Sequence, residues 1–130
     1  MEPPRAFHHV TLTVSDLAAS AAWYVRVLGA TRAADREGPG FRRAILRTLG
    51  GLTLGLTQHD ATSIPDRFDE RRVGLDHVSF ACVDRTEVEA WARRLDELGI
   101  VHGGIVAAPY GHVLTFRDPD DIQLEFFAPA

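Results

Sequence analysis

The chain contains its own repeat. From His9 it reads His-Val-Thr-Leu-Thr-Val-Ser-Asp, and from His77 it reads His-Val-Ser-Phe-Ala-Cys-Val-Asp, an offset of 68 that also matches Asp16 to Asp84 and Trp23 to Trp91. Two extra residues in the second copy move the offset to 70. There Leu28-Gly29-Ala30 meets Leu98-Gly99-Ile100, and Thr53-Leu54-Gly55-Leu56-Thr57 meets Gln123-Leu124-Glu125-Phe126-Phe127. A repeat of this kind makes each copy one supersecondary unit and fixes how every later residue is read. The expected organisation is one domain over 1–130, with a first module at about 7–59, a polar linker at about 60–74 and a second module at about 75–128.

Each module carries the same order of signals. Alternation through Val10, Leu12 and Val14, and again through Val78, Phe80 and Cys82, predicts a strand with one apolar face. A helix follows. Leu17, Ala21, Tyr24 and Leu28 recur at helical spacing after an N-cap at Ser15 or Asp16. In the second copy Val88, Trp91, Leu95 and Leu98 form the stripe, opened by Thr86 with Glu89 three residues on, a capping-box spacing. Gly29 and Gly99 end the helices, because glycine accepts the left-handed conformation wanted just past a helix. Short strands come next: about Arg42–Leu49 and Leu52–Gln58, then Gly104–Ala107, Val113–Arg117 and Gln123–Phe127, with a turn at Asp118-Pro119-Asp120-Asp121. Strand, helix and a run of strands, twice over, is an α+β architecture.

Composition removes several functions. With 130 residues, 45% of them apolar, the chain can hide roughly two-thirds of its unfolded surface and needs no disulfide staple. The net charge of −4 lacks the basic footprint of a nucleic-acid binder. All fourteen basic residues are arginine, so Schiff-base chemistry and a Walker-type phosphate loop, both of which need lysine, are excluded. The single cysteine, Cys82, cannot form an internal disulfide, and Met1-Glu2-Pro3-Pro4 opens neither a signal peptide nor an apolar span. The expectation is a cytoplasmic protein that acts on a small molecule, without nucleic-acid or membrane partners.

The two-residue period sorts the side chains. Val10, Leu12 and Val14 face the helix, which sends His9, Thr11 and Thr13 to the other side of the sheet. His77, Ser79 and Ala81 do likewise, as do Gln123, Glu125 and Phe127 in the last strand and Thr53, Gly55, Thr57 and His59 in its mate. Cys82 reads as core. His8, by parity, points away from His9. Two curled sheets placed side by side would enclose a concavity where His9, His77 and Glu125 converge. Two imidazoles and one carboxylate form the facial triad suited to Fe(II), with Mn(II), Ni(II), Co(II) or Zn(II) as alternatives. The mate of Glu125 is Gly55, which donates nothing, so three protein ligands leave coordination sites open for substrate or water. Gly55→Glu is expected to add a fourth ligand and tighten Zn(II) or Ni(II) binding.

These residues resemble the vicinal oxygen chelate superfamily, the glyoxalase I, bleomycin-resistance and extradiol-dioxygenase group. The likeness rests on His9-Val-Thr-Leu-Thr-Val-Ser-Asp16-Leu17 with Ser20, Trp23-Tyr24 and Leu28-Gly29, on Leu75-Asp-His77-Val-Ser-Phe, and on Phe116-Arg-Asp-Pro-Asp120-Asp-Ile-Gln-Leu-Glu125-Phe. It implies two βαβββ modules forming a cupped, mostly antiparallel sheet with helices on the outer face, and a homodimer. It also implies a divalent metal held by His9, His77 and Glu125. Members acting as glyoxalase I or methylmalonyl-CoA epimerase carry a Glu or Gln where this chain has Gly55. The departure favours the three-ligand arrangement of extradiol dioxygenases and fosfomycin-modifying enzymes, although phosphonate-binding members typically use a lysine, which is absent here. The expected activity is an extradiol-type dioxygenase or a glyoxalase-like lyase or isomerase, the rival being a binding protein that sequesters an antibiotic or metabolite.

Three further side chains are candidates for proton transfer: Tyr110 and His112, both before the seventh strand and near the mouth of the concavity, and His59 beyond Thr57. His102 is expected to be a solvated loop residue, Trp23 and Trp91 packing residues, and Arg67, Glu70, Arg71 and Arg72 a charged linker.

Overall fold

The computed structural model describes residues 1–60 and 66–130. It divides into two compact units, Met1–Pro65 and Asp66–Ala130. In the first, β1 (Val10–Thr13) leads to α1 (Leu17–Leu28), then β2 (Thr31–Gly38), β3 (Phe41–Arg47) and β4 (Thr53–His59), in the sheet order β1-β4-β3-β2. In the second, β5 (Val78–Ala81), α2 (Arg85–Glu97), β6 (His102–Ala108), β7 (Gly111–Arg117) and β8 (Gln123–Pro129) give the order β5-β8-β7-β6. Each is a βαβββ module with one parallel strand pair, β1 with β4 and β5 with β8, and antiparallel pairs elsewhere. The registers repeat: Val10 faces Leu54 as Val78 faces Leu124.

The helices form where the sequence signals them, with one correction. Asp16 caps α1 by accepting from the Ala19 amide at 3.0 Å, and Gly29 ends it at φ 65°. The Leu17 amide, which has no partner within the helix, donates to Gln58 Oε1 at 2.8 Å and so ties α1 to β4. In α2 the cap is Asp84 rather than Thr86: its side chain accepts from the Glu87 amide at 3.0 Å, and Glu87 reaches back to the Val83 amide at 2.6 Å. The acidic cap wins because it begins the helix earlier and satisfies amides that Thr86 would leave bare. At the other end the Ile100 amide bonds Leu95 O and the Gly99 amide bonds Asp96 O, a Schellman closure.

One strand escaped the sequence pattern. β2 reads Thr-Arg-Ala-Ala-Asp-Arg-Glu-Gly and is mostly exposed along its length. As an edge strand it is charged, which blunts unwanted pairing but erases the apolar alternation by which strands are read.

Each core lies between a helix and one face of its sheet. Leu12, Val14, Leu17, Ala21, Tyr24, Ala44, Leu46, Leu54 and Leu56 are buried in the first unit, and Phe80, Val88, Leu95, Leu114, Phe116, Leu124 and Phe126 in the second. Trp91 stacks on Phe126 at 4.2 Å between centroids and Phe116 stacks on the same ring at 5.1 Å, whereas Trp23 meets Tyr24 edge-on at 4.9 Å. Both tryptophans pack, as expected. Cys82 is buried, and burial with Glu87 nearby pushes its thiol up to about 11, so it is core and not a nucleophile.

Part of the expected linker belongs to the second unit. Arg67 pairs with Asp121 at 2.7 Å, the Phe68 amide bonds Asp120 O at 3.2 Å and Glu70 takes Arg117 at 2.7 Å, so residues 66–72 form a strap across the β7–β8 turn. Arg71 and Arg72 pair with Asp69 and Asp66 inside the strap. Residues 61–65 of the expected linker lie outside the described residues. The turn itself is held by Asp118, whose Oδ1 accepts from the amides of Asp120 and Ile122, both at 2.8 Å. His102 is also corrected: it opens β6, with Nε2 2.8 Å from Asp96 Oδ1 and Nδ1 accepting from the Gly104 amide at 3.0 Å. A histidine able to satisfy both ring nitrogens locally has reason to leave solvent.

Candidate metal centre

In the second unit Glu125 lies mid-strand in β8, between Ser79 of β5 and Thr115 of β7. Its neighbours Leu124 and Phe126 are buried on the helix side, so the period of two puts Glu125 on the opposite face with Gln123 and Phe127. His77 immediately precedes β5, and its Nε2 stands 3.5 Å from Glu125 Oε1. Two donors on one cation, each bonded at about 2.1 Å with a near-tetrahedral angle between them, are about 3.4 Å apart.

The far nitrogen of His77 is also engaged. Nδ1 lies 2.7 Å from Asp76 Oδ1. A carboxylate only accepts, so Nδ1 donates in this contact and Nε2 is the ring nitrogen turned toward Glu125. A carboxylate behind a histidine in this way orients metal-ligating imidazoles and raises their basicity. Asp76 Oδ1 also accepts from Gln123 Nε2 at 3.3 Å, and Gln123 Oε1 accepts from Arg117 Nη2 at 3.2 Å. Arg117 in turn grips Glu70 through both terminal nitrogens, at 2.7 and 3.1 Å, holding that carboxyl down to about 2. A continuous polar chain therefore runs from the strap to His77. Beside it a hollow of about 510 Å³ opens at the Arg117 end of the sheet, bordered by Thr115, Arg117 and Gln123.

The Glu125 side chain is only 15% exposed, and among the described residues no arginine, hydroxyl or amide donates to it. A withdrawn carboxylate needs a positive or donating partner, and His77 at 3.5 Å is too far for a good hydrogen bond. A divalent cation between Nε2 and Oε1 satisfies both groups, so this donor pair fits a metal. Within either unit, no group of three His, Cys, Asp or Glu side chains is gathered for one among the described residues.

The first unit carries the corresponding histidine. His9 precedes β1 as His77 precedes β5, and it is exposed. Its Nδ1 lies 2.9 Å from Nδ1 of His8. The offset of 68 puts His8 where Asp76 stands, so in both modules the preceding side chain holds Nδ1 of the candidate ligand. Parity alone sends His8 away from His9, but alternation starts only at Val10, where β1 begins, and does not govern the residues before it. Gly55 sits between Thr11 and Ile45, in the register of Glu125. A Cβ there would come 2.5 Å from Thr11 Oγ1, so Thr11 fills the space a fourth ligand would need.

The three proton-transfer candidates separate. Tyr110 is 67% exposed in the β6–β7 turn, and its ring stacks at 6.3 Å on Phe127, which shares the Glu125 face. His59 ends β4 opposite Phe41, exposed, on the non-helix face as expected. His112 is corrected: its register partner is Ala128, in line with buried Leu114 and Phe116, so it faces the helix side. There its Nδ1 is buried without a hydrogen-bond partner. β7 begins at Gly111, so His112 lies within the strand, and its three-residue separation from Thr115 puts the two on opposite faces.

Asp76 carries a signal in the residues that the candidates above do not use, since the repeat that matches His9 to His77 also matches His8 to Asp76. Arg43 lies in a strand read from the residues, but its anchoring on Thr57 appears only in the folded chain.

Comparison with known proteins agrees with this architecture. The model of the Glyoxalase/Bleomycin resistance protein/Dioxygenase superfamily matches residues 6–126. A glyoxylase/bleomycin resistance protein/dioxygenase domain from Frankia sp. EAN1pec is 34% identical, with 98% of this chain and 100% of that one covered and a TM-score of 0.91. Lactoylglutathione lyase from Agrobacterium tumefaciens is 26% identical, covering 98% and 96%, with a TM-score of 0.75. The fold is shared with the genomically encoded fosfomycin resistance protein FosX from Listeria monocytogenes, complexed with Mn(II) and sulfate ion, at 21% identity, 98% and 95% coverage and a TM-score of 0.69.

Proposed function

This chain belongs to the Glyoxalase/Bleomycin resistance protein/Dioxygenase superfamily, and we propose that it is a divalent-metal-dependent enzyme acting on adjacent oxygens of a small substrate, with His9, His77 and Glu125 as its metal ligands. The observation that carries this reading is the 3.5 Å approach of His77 Nε2 to Glu125 Oε1, backed by Asp76 on the far nitrogen. His9 enters through its equivalence to His77 in the repeat and through the matching support from His8. Held by these residues, a divalent cation would supply Lewis acidity toward adjacent substrate oxygens, and Fe(II) would add redox chemistry.

The chain's own residues do the rest. Asp76 and Gln123 fix the tautomer and tilt of His77. Glu125 brings the negative charge that makes the site select a cation. Gly55 and Thr11 withhold a fourth ligand, which favours the three-ligand chemistry of an extradiol-type dioxygenase over a four-ligand glyoxalase I arrangement. Tyr110, stacked beside the Glu125 face, is the phenol best placed to hold or give a proton, with His59 in reserve; the helix-side position of His112 takes it out of that role.

Protein purified anaerobically without chelator is expected to hold a first-row metal stoichiometrically, with Fe(II) first, and His9→Ala, His77→Ala and Glu125→Ala each to lose it. If the unaltered chain takes up no such metal and the three variants bind small molecules as it does, the chain is a sequestration protein instead.

A further inference from the structure

The first sheet carries a second polar constellation that the metal reading leaves unused. On its non-helix face, strand register places Arg36 of β2 beside Arg43 of β3, Arg43 beside Thr57 of β4, and Thr57 beside Thr13 of β1. Arg43 is held rigidly. Its Nε donates to Thr57 Oγ1 at 2.7 Å, and its guanidinium carbon lies 4.9 Å from the centroid of the Phe41 ring. Thr57 is 2% exposed, so the hydroxyl that steers the arginine has been taken out of water. Gly38 makes room for the platform, since a Cβ there would meet Phe41 at 2.5 Å.

What this assembly lacks is an acid. Among the described residues neither Arg36 nor Arg43 is paired with a carboxylate; Arg36 reaches only the carbonyl oxygen of Asp35, at 2.9 Å. The nearby acids belong to the other face of the hairpin, where Asp35 lies opposite Ala44 and Glu37 opposite Arg42. Like charges set directly across a strand pair oppose folding, so two arginines side by side call for a negative partner. The fold does not require them. The matching row of the second sheet is Val106, Val113, Phe127 and Ala81, wholly apolar in the same register.

We propose that the non-helix face of the first sheet binds a small-molecule oxyanion, a carboxylate or a phosphate-type group, through the terminal nitrogens of Arg43 with Arg36 as the second cation. A guanidinium whose Nε is already anchored presents its outer edge as a preset fork, the geometry that takes two oxygens of one anion. Thr57 and Phe41 are positioning residues that keep the fork fixed. The site is contained in the first unit and uses none of the proposed metal ligands.

The test uses the whole chain stripped of metal, titrated separately with inorganic phosphate and with acetate at constant ionic strength, while the Arg43 Nε–H signal is followed by NMR. Saturation by either anion with a shift at Arg43 is expected, and the anion that saturates identifies the group. Arg43→Gln should weaken binding by about tenfold or more, the scale of lost charge-assisted hydrogen bonds. Arg36→Gln, which leaves Thr57 and Phe41 untouched and so keeps the fold, should weaken it several-fold. No saturation by either anion, or affinity undiminished in a folded Arg36→Gln protein and in Arg43→Gln, overturns the proposal. Metal content plays no part in the readout, so failure here is separate from failure of the metal site.

Discussion

The two modules are copies on one side and different on the other. On the helix side the register matches Leu54 to Leu124, Leu56 to Phe126, Ala44 to Leu114 and Leu46 to Phe116, all buried and all apolar. On the opposite face the same alignment puts Gly55 against Glu125, Thr57 against Phe127 and Arg43 against Val113. The helix accounts for the asymmetry. Laid on the sheet, it fixes the volume of what lies between, whereas the other face has no helix to match and is free to differ in chemistry between the copies. One copy holds a carboxylate there; the other holds arginines.

The largest effect expected from breaking this comparison lies in the shared layer. Phe126→Ala, which removes the ring on which Trp91 and Phe116 stack, should cost about 3–5 kcal/mol, and Leu56→Ala at the same register in the first module about 2–5 kcal/mol, both read by urea unfolding. Comparable losses would confirm that the helix sides are equivalent.

The divergent face sharpens the contrast. Gly55→Glu tries to turn the first copy into the second, yet its Cβ would meet Thr11 Oγ1 at 2.5 Å. The variant should lose about 1–3 kcal/mol by overpacking and bind Zn(II) no more tightly, whereas Gly55→Glu with Thr11→Ala should recover stability and gain affinity. Chemical denaturation and metal competition read the two quantities separately. Next, Asp76→Asn removes the charged acceptor behind His77 and should weaken metal binding about 10–100-fold, while His8→Ala, the matching change behind His9, should do less because an imidazole is the weaker acceptor.

The smallest effect concerns the strap, which has no counterpart among the described residues of the first module. Arg117 lowers the Glu70 carboxyl from its ordinary value to about 2, and Arg71 holds Asp69 well below the usual carboxylate range. Groups depressed in this way stabilise the folded form above their ordinary values and lose that contribution as pH falls through the depressed ones. The Phe68 amide, bonded to Asp120 O, should keep its folded NMR shift down to about pH 4 and leave it progressively toward about pH 2. Exposure of both partners keeps the contribution small.

Most of the fold could be read from the residues because burial writes itself into periodicity. Val10, Leu12 and Val14 alternate, α1 and α2 show their stripes, and Gly29 and Gly99 mark their ends. β2 could not be read, since an exposed charged edge has no face to bury. Of the site, the pairing of His77 with Glu125 followed from repeat and parity, and so did the equivalence of Gly55 to Glu125. His112 reads as lying before the seventh strand, but β7 begins at Gly111, so the period of two reaches it and sets it with Leu114 and Phe116.

Two modules, their order of elements and, β2 apart, the side of each strand that meets a helix are already written in the residues. Which polar groups touch emerges with folding: Asp76 behind His77, Arg43 anchored on buried Thr57, and the strap drawn onto Arg117. The difference is one of range. Burial depends on how residues recur along the chain, and period is visible in one dimension. A hydrogen bond depends on atoms brought within about 3 Å across strands whose register no local pattern encodes.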